Sequence, residues 1–261
     1  MRHETLRELW HYRELFYFLA WRDVKVRYKQ TALGVAWAVL QPLLTMLIFT
    51  LLFGNLAKMP SEGMPYPLFY FGALLPWMYF STTLSASGNS LVANANLISK
   101  VYFPRIILPS SAAMSGLVDF GVACILLLGV MVHYGVNPGW GLLMWPILMV
   151  PLVVLTLSVS MILAALNVRY RDVKYTLPFL VQLWLFVTPV IYPISIVPER
   201  YRLLVALNPM SGFIDAFRAS LVPSKHVDWA LLWVSLGVTL VVFVTAALYF
   251  RRAERTFADI V

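Results

Sequence analysis

The sequence has 261 residues, of which 61% are hydrophobic and only 12% charged, with a formal net charge of +8. Soluble domains are about 45–50% apolar and about a quarter charged, so a water-soluble globule is excluded; the bilayer is the solvent that accepts this much apolar surface. The surplus of Lys and Arg fits retention at the cytoplasmic face of a polytopic protein, and no nucleic-acid partner is expected. The single cysteine, Cys124, lies in an apolar run, which leaves no intrachain disulfide and no cysteine metal site.

In chain order, residues 4–29 read as an amphipathic helix lying on the membrane: Leu6, Leu9, Trp10, Phe16, Phe18 and Leu19 supply apolar area while charges recur throughout. The same charges interrupt any hydrophobic core, so no cleavable signal peptide is expected. Apolar runs of spanning length, about 20 residues, follow at 33–53, 68–91, 107–132, 142–166, 175–194 and 229–249. The expected fold is therefore an all-α integral membrane protein with six transmembrane helices. Its two parts are a cytoplasmic interface helix at 1–32 and a six-span permease domain at 33–261. Prolines 42, 76, 146, 151, 178, 189 and 193 fall inside spans, where neighbouring helices or water satisfy the freed carbonyls and the helix kinks. The connection at 195–228 differs from the rest. It holds two short amphipathic pieces, 199–207 and 211–221, split by Asn208-Pro209, read as short outer re-entrant or gate helices; an extramembrane hairpin is the other reading.

Of the 20 Lys and Arg residues, 15 fall in the two tails and the second and fourth loops, and 5 in the odd-numbered loops. That bias places both termini in the cytoplasm, in agreement with an even number of spans.

Little in the chain reads as catalytic. No Gly-Lys pair occurs, so no phosphate-binding loop of the GxxxxGK[ST] kind exists. His3, His11, His133 and His226 lack ligand spacing, and no metal site is expected. Asp119 is the acid well inside a span, where a carboxylate costs about 2.5–3.5 kcal/mol; a functional and a structural role both remain open. Aromatic residues are dense within spans: Trp37, then Tyr70, Phe71, Trp77, Tyr79 and Phe80, then Trp184, Phe186 and Tyr192. Interfacial belts account for rings near span ends. Rings inside a span suit a sliding sugar chain, because a pyranose offers its C–H face without fixing a hydrogen-bond register. Gln41 and Gln182 can add polar contacts or bond helix to helix. At the cytoplasmic face, the segment at 94–105 turns from polar to amphipathic and is stopped by Pro104, a docking knob for a soluble partner. The basic loop at 167–174 reads as ordinary inside charge.

Four stretches, in this order, resemble the type-2 exporter permeases of the ABC transporter superfamily, in the branch exporting O-antigen, teichoic acid or capsule polysaccharide. They are RDVKVRYKQTALGVAW at 22–37, LISKVYFPR at 97–105, NVRYRDVK at 167–174, and TPVIYP at 188–193 continuing to LNPM at 207–210. The resemblance implies a half-transporter of the bacterial cytoplasmic membrane that pairs with a second copy and docks two ATP-binding-cassette ATPase subunits. ATP and Mg would be bound there, none by this chain, which is not itself an enzyme. The cargo implied is a lipid-linked polysaccharide, with Trp37, Tyr70, Phe71, Trp77, Tyr79, Phe80, Trp184, Phe186, Tyr192, Gln41 and Gln182 as path-lining residues. Its pyrophosphate would meet Arg22, Lys25, Arg27 and Lys29, each worth about 1 kcal/mol near an anionic surface; contacts to anionic membrane lipids or to the ATPase are the rival role. Asn94, Asn96, Leu97, Lys100, Tyr102, Phe103 and Arg105 would couple to the ATPase, and 195–228 would be the outer gate. A small-molecule efflux permease of the same superfamily, a proton-coupled carrier using Asp119 and a membrane-embedded enzyme are the alternatives.

Overall fold

A computed structural model describes residues 10–29, 36–137, 139–170, 172–222, 225–254 and 257. The start of the first predicted span, the QTALGV stretch at 30–35 and Arg171 of the fourth loop lie outside these. All regular structure among the described residues is helical.

Helix α1, Arg13–Lys29, is followed by α2, Ala36–Phe49, which runs on as a π-helical stretch, Thr50–Leu56. Helix α3 is Tyr66–Ala93, α4 is the short Ala95–Lys100, and α5 is Ile107–His133. A 3-10 turn, Gly139–Leu143, leads into α6, Met144–Arg169, and α7 is Val173–Val187. A short hairpin follows as α8, Glu199–Leu207, and α9, Pro209–Ala219, and then α10, Trp229–Glu254.

Proline and its neighbours set several boundaries. Pro65 and Pro67 open α3, where a fixed φ and a missing N–H cost nothing. Asn208 caps α9 by accepting from the Met210 N–H at 3.2 Å, with Pro209 in the first turn. Helix α7 ends at Val187, short of the predicted 194, because Thr188 precedes Pro189 and is pushed to extended backbone (φ −93, ψ 137). Pro189 and Pro193 thus terminate the helix rather than kink it. At 15 residues α7 is about 22 Å long, less than the roughly 30 Å hydrocarbon layer.

Among the described residues, four helices are long and apolar enough to cross a membrane: Ala36–Leu56, Ile107–His133, Gly139–Arg169 and Trp229–Glu254. Helix α3 has the length, 28 residues, but not the composition, since its second half is rich in Ser, Thr and Asn. It is also the most enclosed of the long helices, with Pro67 to Trp77 buried without a break. Most of its Ser and Thr hydroxyls are satisfied locally or by a neighbour, as where Thr82 donates to Met78 O at 2.7 Å and Ser87 to Pro109 O at 3.0 Å; Thr83 Oγ1 is buried without a partner. A helix clad in protein need not be apolar all round.

Two apolar clusters hold the bundle. The larger gathers Phe69, Phe71, Phe80, Trp145, Phe213 and Phe217 from α3, α6 and α9. The smaller joins Leu19 of α1 to Ile98, Phe103, Ile107, Met161 and Phe250. Gly212 lets α9 lie backbone-close on α10, for a Cβ there would meet Ser235 Oγ at 2.3 Å. By contrast α2 buries only Pro42 and Met46, and α7 only Leu177. Both keep an apolar face uncovered.

Candidate functional site

One end of the molecule is a fastened platform. Helix α1 is not free on a surface; it leans along the first half of α5, with Leu19 in the smaller cluster. Arg22 Nη1 donates to Asn94 Oδ1 at 3.0 Å, and the same guanidinium holds Asp23 at 2.8 Å. Tyr12 OH donates to Tyr102 O at 3.1 Å. On the other flank, the Arg105 N–H donates to Glu254 Oε1 at 2.8 Å, and its guanidinium reaches Glu254 O. The loop carrying α4 is thus tied to the first and last helices at once. Asn167, from the fourth loop's start, donates to Gly88 O and Asn89 Oδ1 at the same end. Ile98 and Phe103 root the knob in the core, Leu97 is half-buried, and Asn96, Lys100 and Tyr102 face outward, Tyr102 with 80% exposure.

The basic cluster divides. Lys25 and Lys29 are exposed, Lys25 lying 5.5 Å over the Trp21 ring. Arg22 is bound to Asp23, and Arg27 forms an ion pair with Asp119, which also accepts from Tyr28 OH. Burial raises the Tyr28 phenol against the pull of Arg27, which keeps it a donor. Asp119, near the middle of α5, therefore has two partners from α1.

The opposite end is closed by contacts that sequence reasoning missed. Arg218 of α9 is fully buried; its Nη2 donates to Pro189 O and Val190 O at 2.9 and 3.0 Å, and the guanidinium lies 3.9 Å over the Phe69 ring. It caps the carbonyls that the Pro189 break set free. Trp184 Nε1 donates to Asn208 Oδ1 at 3.0 Å, and Asn208 Nδ2 to Thr188 Oγ1 at 2.9 Å, which ties α7 to the hairpin. Glu62, in the loop between α2 and α3, accepts from Ser195 Oγ at 2.7 Å and pairs with Lys225. Lys225 also stands 3.8 Å from the buried Asp215. Burial raises the Glu62 carboxyl, but hydrogen bonds from Lys225 and Ser195 outweigh it and the net direction is down. Burial dominates at Asp215 and moves its carboxyl up. Glu62 has φ +52, a left-handed backbone rare outside glycine, held where its side chain joins two elements. The one signal in the sequence is Asp215 and Arg218, three apart on one helical face.

The aromatic residues separate by helix. Tyr70, Phe71, Trp77, Tyr79 and Phe80 of α3 are buried inside the helix bundle. Trp37 and Gln41 on α2, and Gln182 and Phe186 on α7, lie on the uncovered faces. Trp184 and Tyr192 are half-buried, and Trp184 packs edge-on against Phe80 at 5.0 Å. Between α1, α2, α3 and α5 lies a cavity of about 280 Å³ that brings Trp37, Gln41 and Tyr79 to Arg27, Tyr28 and Asp119.

The sequence matches the ABC-2 type transporter family over residues 14–222. It is 33% identical to the O-antigen export system permease protein RfbA of Myxococcus xanthus, over 97% of this chain and 98% of that one. A protein of the same name from Klebsiella pneumoniae is 27% identical over 92% of each chain. The polysialic acid transport protein KpsM of Escherichia coli is 22% identical over 89% of this chain and 91% of its own.

Proposed function

Because the chain belongs to the ABC-2 type transporter family, we propose that it is the channel-forming subunit of an ATP-driven exporter that moves lipid-linked polysaccharide outward across the bacterial cytoplasmic membrane. The names of its relatives, two for O-antigen export and one for polysialic acid transport, support that cargo class. The observation that carries the reading is the platform, where a short knob is fastened on one side to α1 and on the other to Glu254. A push on such a knob moves the first and last helices together, which is what a soluble motor needs from a membrane partner. Asn96, Lys100 and Tyr102 form the docking tip, while Asn94, Leu97, Phe103 and Arg105 anchor it. ATP and Mg belong to the motor subunits, two per transporter.

The uncovered faces of α2 and α7 support pairing with a second copy. In the pair they form the path, with Trp37, Gln41, Gln182 and Phe186 toward the cargo and Trp184 and Tyr192 at its outer end. Tyr70, Phe71, Trp77, Tyr79 and Phe80 back that wall from inside the protomer. Helices α3 and α7 complete six spans, α7 with the help of the extended 188–193 segment. Both termini then lie with the platform in the cytoplasm, and α8–α9 form the outer gate. Lys25 and Lys29, exposed on α1, offer the first contacts to a pyrophosphate; Arg22 and Arg27 join only by exchanging their carboxylate partners.

Co-purification with a candidate ATPase, followed by hydrolysis measured with and without lipid-linked glycan, tests the proposal. The complex should form, and glycan should stimulate hydrolysis; Lys100→Glu with Tyr102→Ala should weaken the complex about tenfold or more. A chain that exports with no ATPase present would overturn it.

A further inference from the structure

The cavity between α1, α2, α3 and α5 unites residues that the sequence assigned to two different tasks. Arg27 belonged to the basic cluster, and Trp37, Gln41 and Tyr79 to the aromatic path, yet all four line this one space of about 280 Å³. Its size lies just below the roughly 300–1,000 Å³ of drug-sized pockets, room for one ring and not for an oligosaccharide.

The charge of the lining is balanced. Among the described residues its charged lining is Arg27 and Asp119, and they pair with each other. An anion would have to take Arg27 away and leave a carboxylate without its partner, which is costly in a low-dielectric setting. A neutral ligand meets no such cost.

The ion pair also decides how wet the cavity is. The Arg27 and Asp119 side chains keep 37% and 29% of their surface exposed, near the middle of a helix long enough to span. Charge facing hydrocarbon at that depth is strongly disfavoured, so the cavity opens to water. A lipid tail does not suit it.

Hydrogen-bonding capacity remains after the internal contacts are made. A carboxylate has about four acceptor sites and a guanidinium five donors. Asp119 uses Oδ1 for Tyr28 and Oδ2 for Arg27, and Gln41 stands exposed beside them. Trp37 and Phe120 supply flat apolar surface. Flat rings next to an acid, a guanidinium and an amide match a molecule with an apolar C–H face and a rim of hydroxyls.

We propose that this cavity is a binding subsite for a single neutral pyranose residue, hydrogen-bonded by Asp119, Arg27 and Gln41 against Trp37 and Phe120. As a station for exported glycan it rests on the exporter reading above.

The test is saturation-transfer NMR on the full chain in lipid nanodiscs, with methyl glucoside, methyl galactoside, methyl mannoside, inorganic phosphate and octanol as separate probes. At least one glycoside should give a saturable signal. Gln41→Ala should weaken its binding about fivefold, the loss of one neutral hydrogen bond, and Ala38→Phe should abolish it by filling the space. Matching elution and thermal unfolding of Gln41→Ala and the parent show that the fold is kept. The proposal is overturned if no glycoside saturates, if both variants bind as the parent does, or if phosphate or octanol alone occupies the Ala38-sensitive site. Absent glycoside binding together with intact polysaccharide export in cells would remove this subsite and leave the exporter reading standing. Binding as expected in a chain that exports no polysaccharide would do the reverse.

Discussion

Asp119 shows how a single residue changes meaning once its neighbours are known. In the sequence it is an isolated acid in an apolar run; in the structure Arg27 and Tyr28 reach it from a helix some ninety residues earlier. No local pattern announces a partner so distant, which is why its role could not be read from the chain. The pair joins α1 to the middle of α5, so Arg27→Ala and Asp119→Ala should each destabilise the protein. Because both remove one interaction, the double variant should cost about 1 kcal/mol less than the two singles summed, as read from unfolding of the four proteins in detergent; strict additivity would show that the pair contributes nothing. Arg218 is the second case. Its guanidinium is the partner of two carbonyls freed at Pro189, and each buried group left unsatisfied costs about 1–3 kcal/mol. Arg218→Met should therefore lower stability by about 3 kcal/mol, and Arg218→Lys by less, since one ammonium keeps the charge but loses the planar fork. Equal stability of parent and Arg218→Met in thermal unfolding would contradict this account of the hairpin.

At the scale of elements, the strongly periodic and apolar stretches were legible. Helices α5, α6 and α10 begin and end within a few residues of the expected 107–132, 142–166 and 229–249, and the two short pieces after 195 are α8 and α9. The stop of α7 at Val187 was overlooked because prolines inside membrane helices are often only kinks. Here Thr188 and Asn208 hold the broken end in another direction. Helix α1 was read as amphipathic from residue types alone; its packing along α5 depends on Leu19 and Arg27, which sequence spacing does not single out. The end of the molecule that holds α8 and α9 carries a pH response. The Glu62 carboxyl is held below its ordinary value of 4.5, so its contribution is present in full above that value and is lost as pH falls through the depressed one. Amide exchange in α8 and α9 should accelerate as the pH is lowered through that window, after correction for intrinsic exchange. Glu62→Gln should remove the step and raise exchange at neutral pH; a step of the same size in that variant would place the titrating group elsewhere.

Across the whole molecule, composition alone pointed to a membrane protein, and the ordered stretches at 22–37, 97–105, 167–174 and 188–193 with 207–210 pointed to its family, which the family match over residues 14–222 bears out. Which aromatic residues face a cargo was not legible, because a ring in a span looks alike whether it fills a core or lines a path. Enclosure separates core rings from uncovered ones and no more: Phe71 is buried and Phe186 is exposed on α7. Phe71→Ala should cost about 3–5 kcal/mol of stability, as large core truncations do. Phe186→Ala should leave unfolding within about 1 kcal/mol of the parent yet cut surface polysaccharide severalfold, measured on cells with equal amounts of each protein. Unchanged surface polysaccharide would remove Phe186 from the path.

The central claim, that this chain is half of an ATP-driven channel for lipid-linked glycan, is tested most directly by reconstitution. The chain and its ATPase are placed together in proteoliposomes loaded with lipid-linked polysaccharide, and glycan on the far leaflet is quantified with and without ATP. The account predicts glycan transfer that requires ATP, requires both proteins and stops when Lys100→Glu and Tyr102→Ala uncouple the platform. Transfer that proceeds without the ATPase, or ATP turnover that moves no glycan, would contradict it.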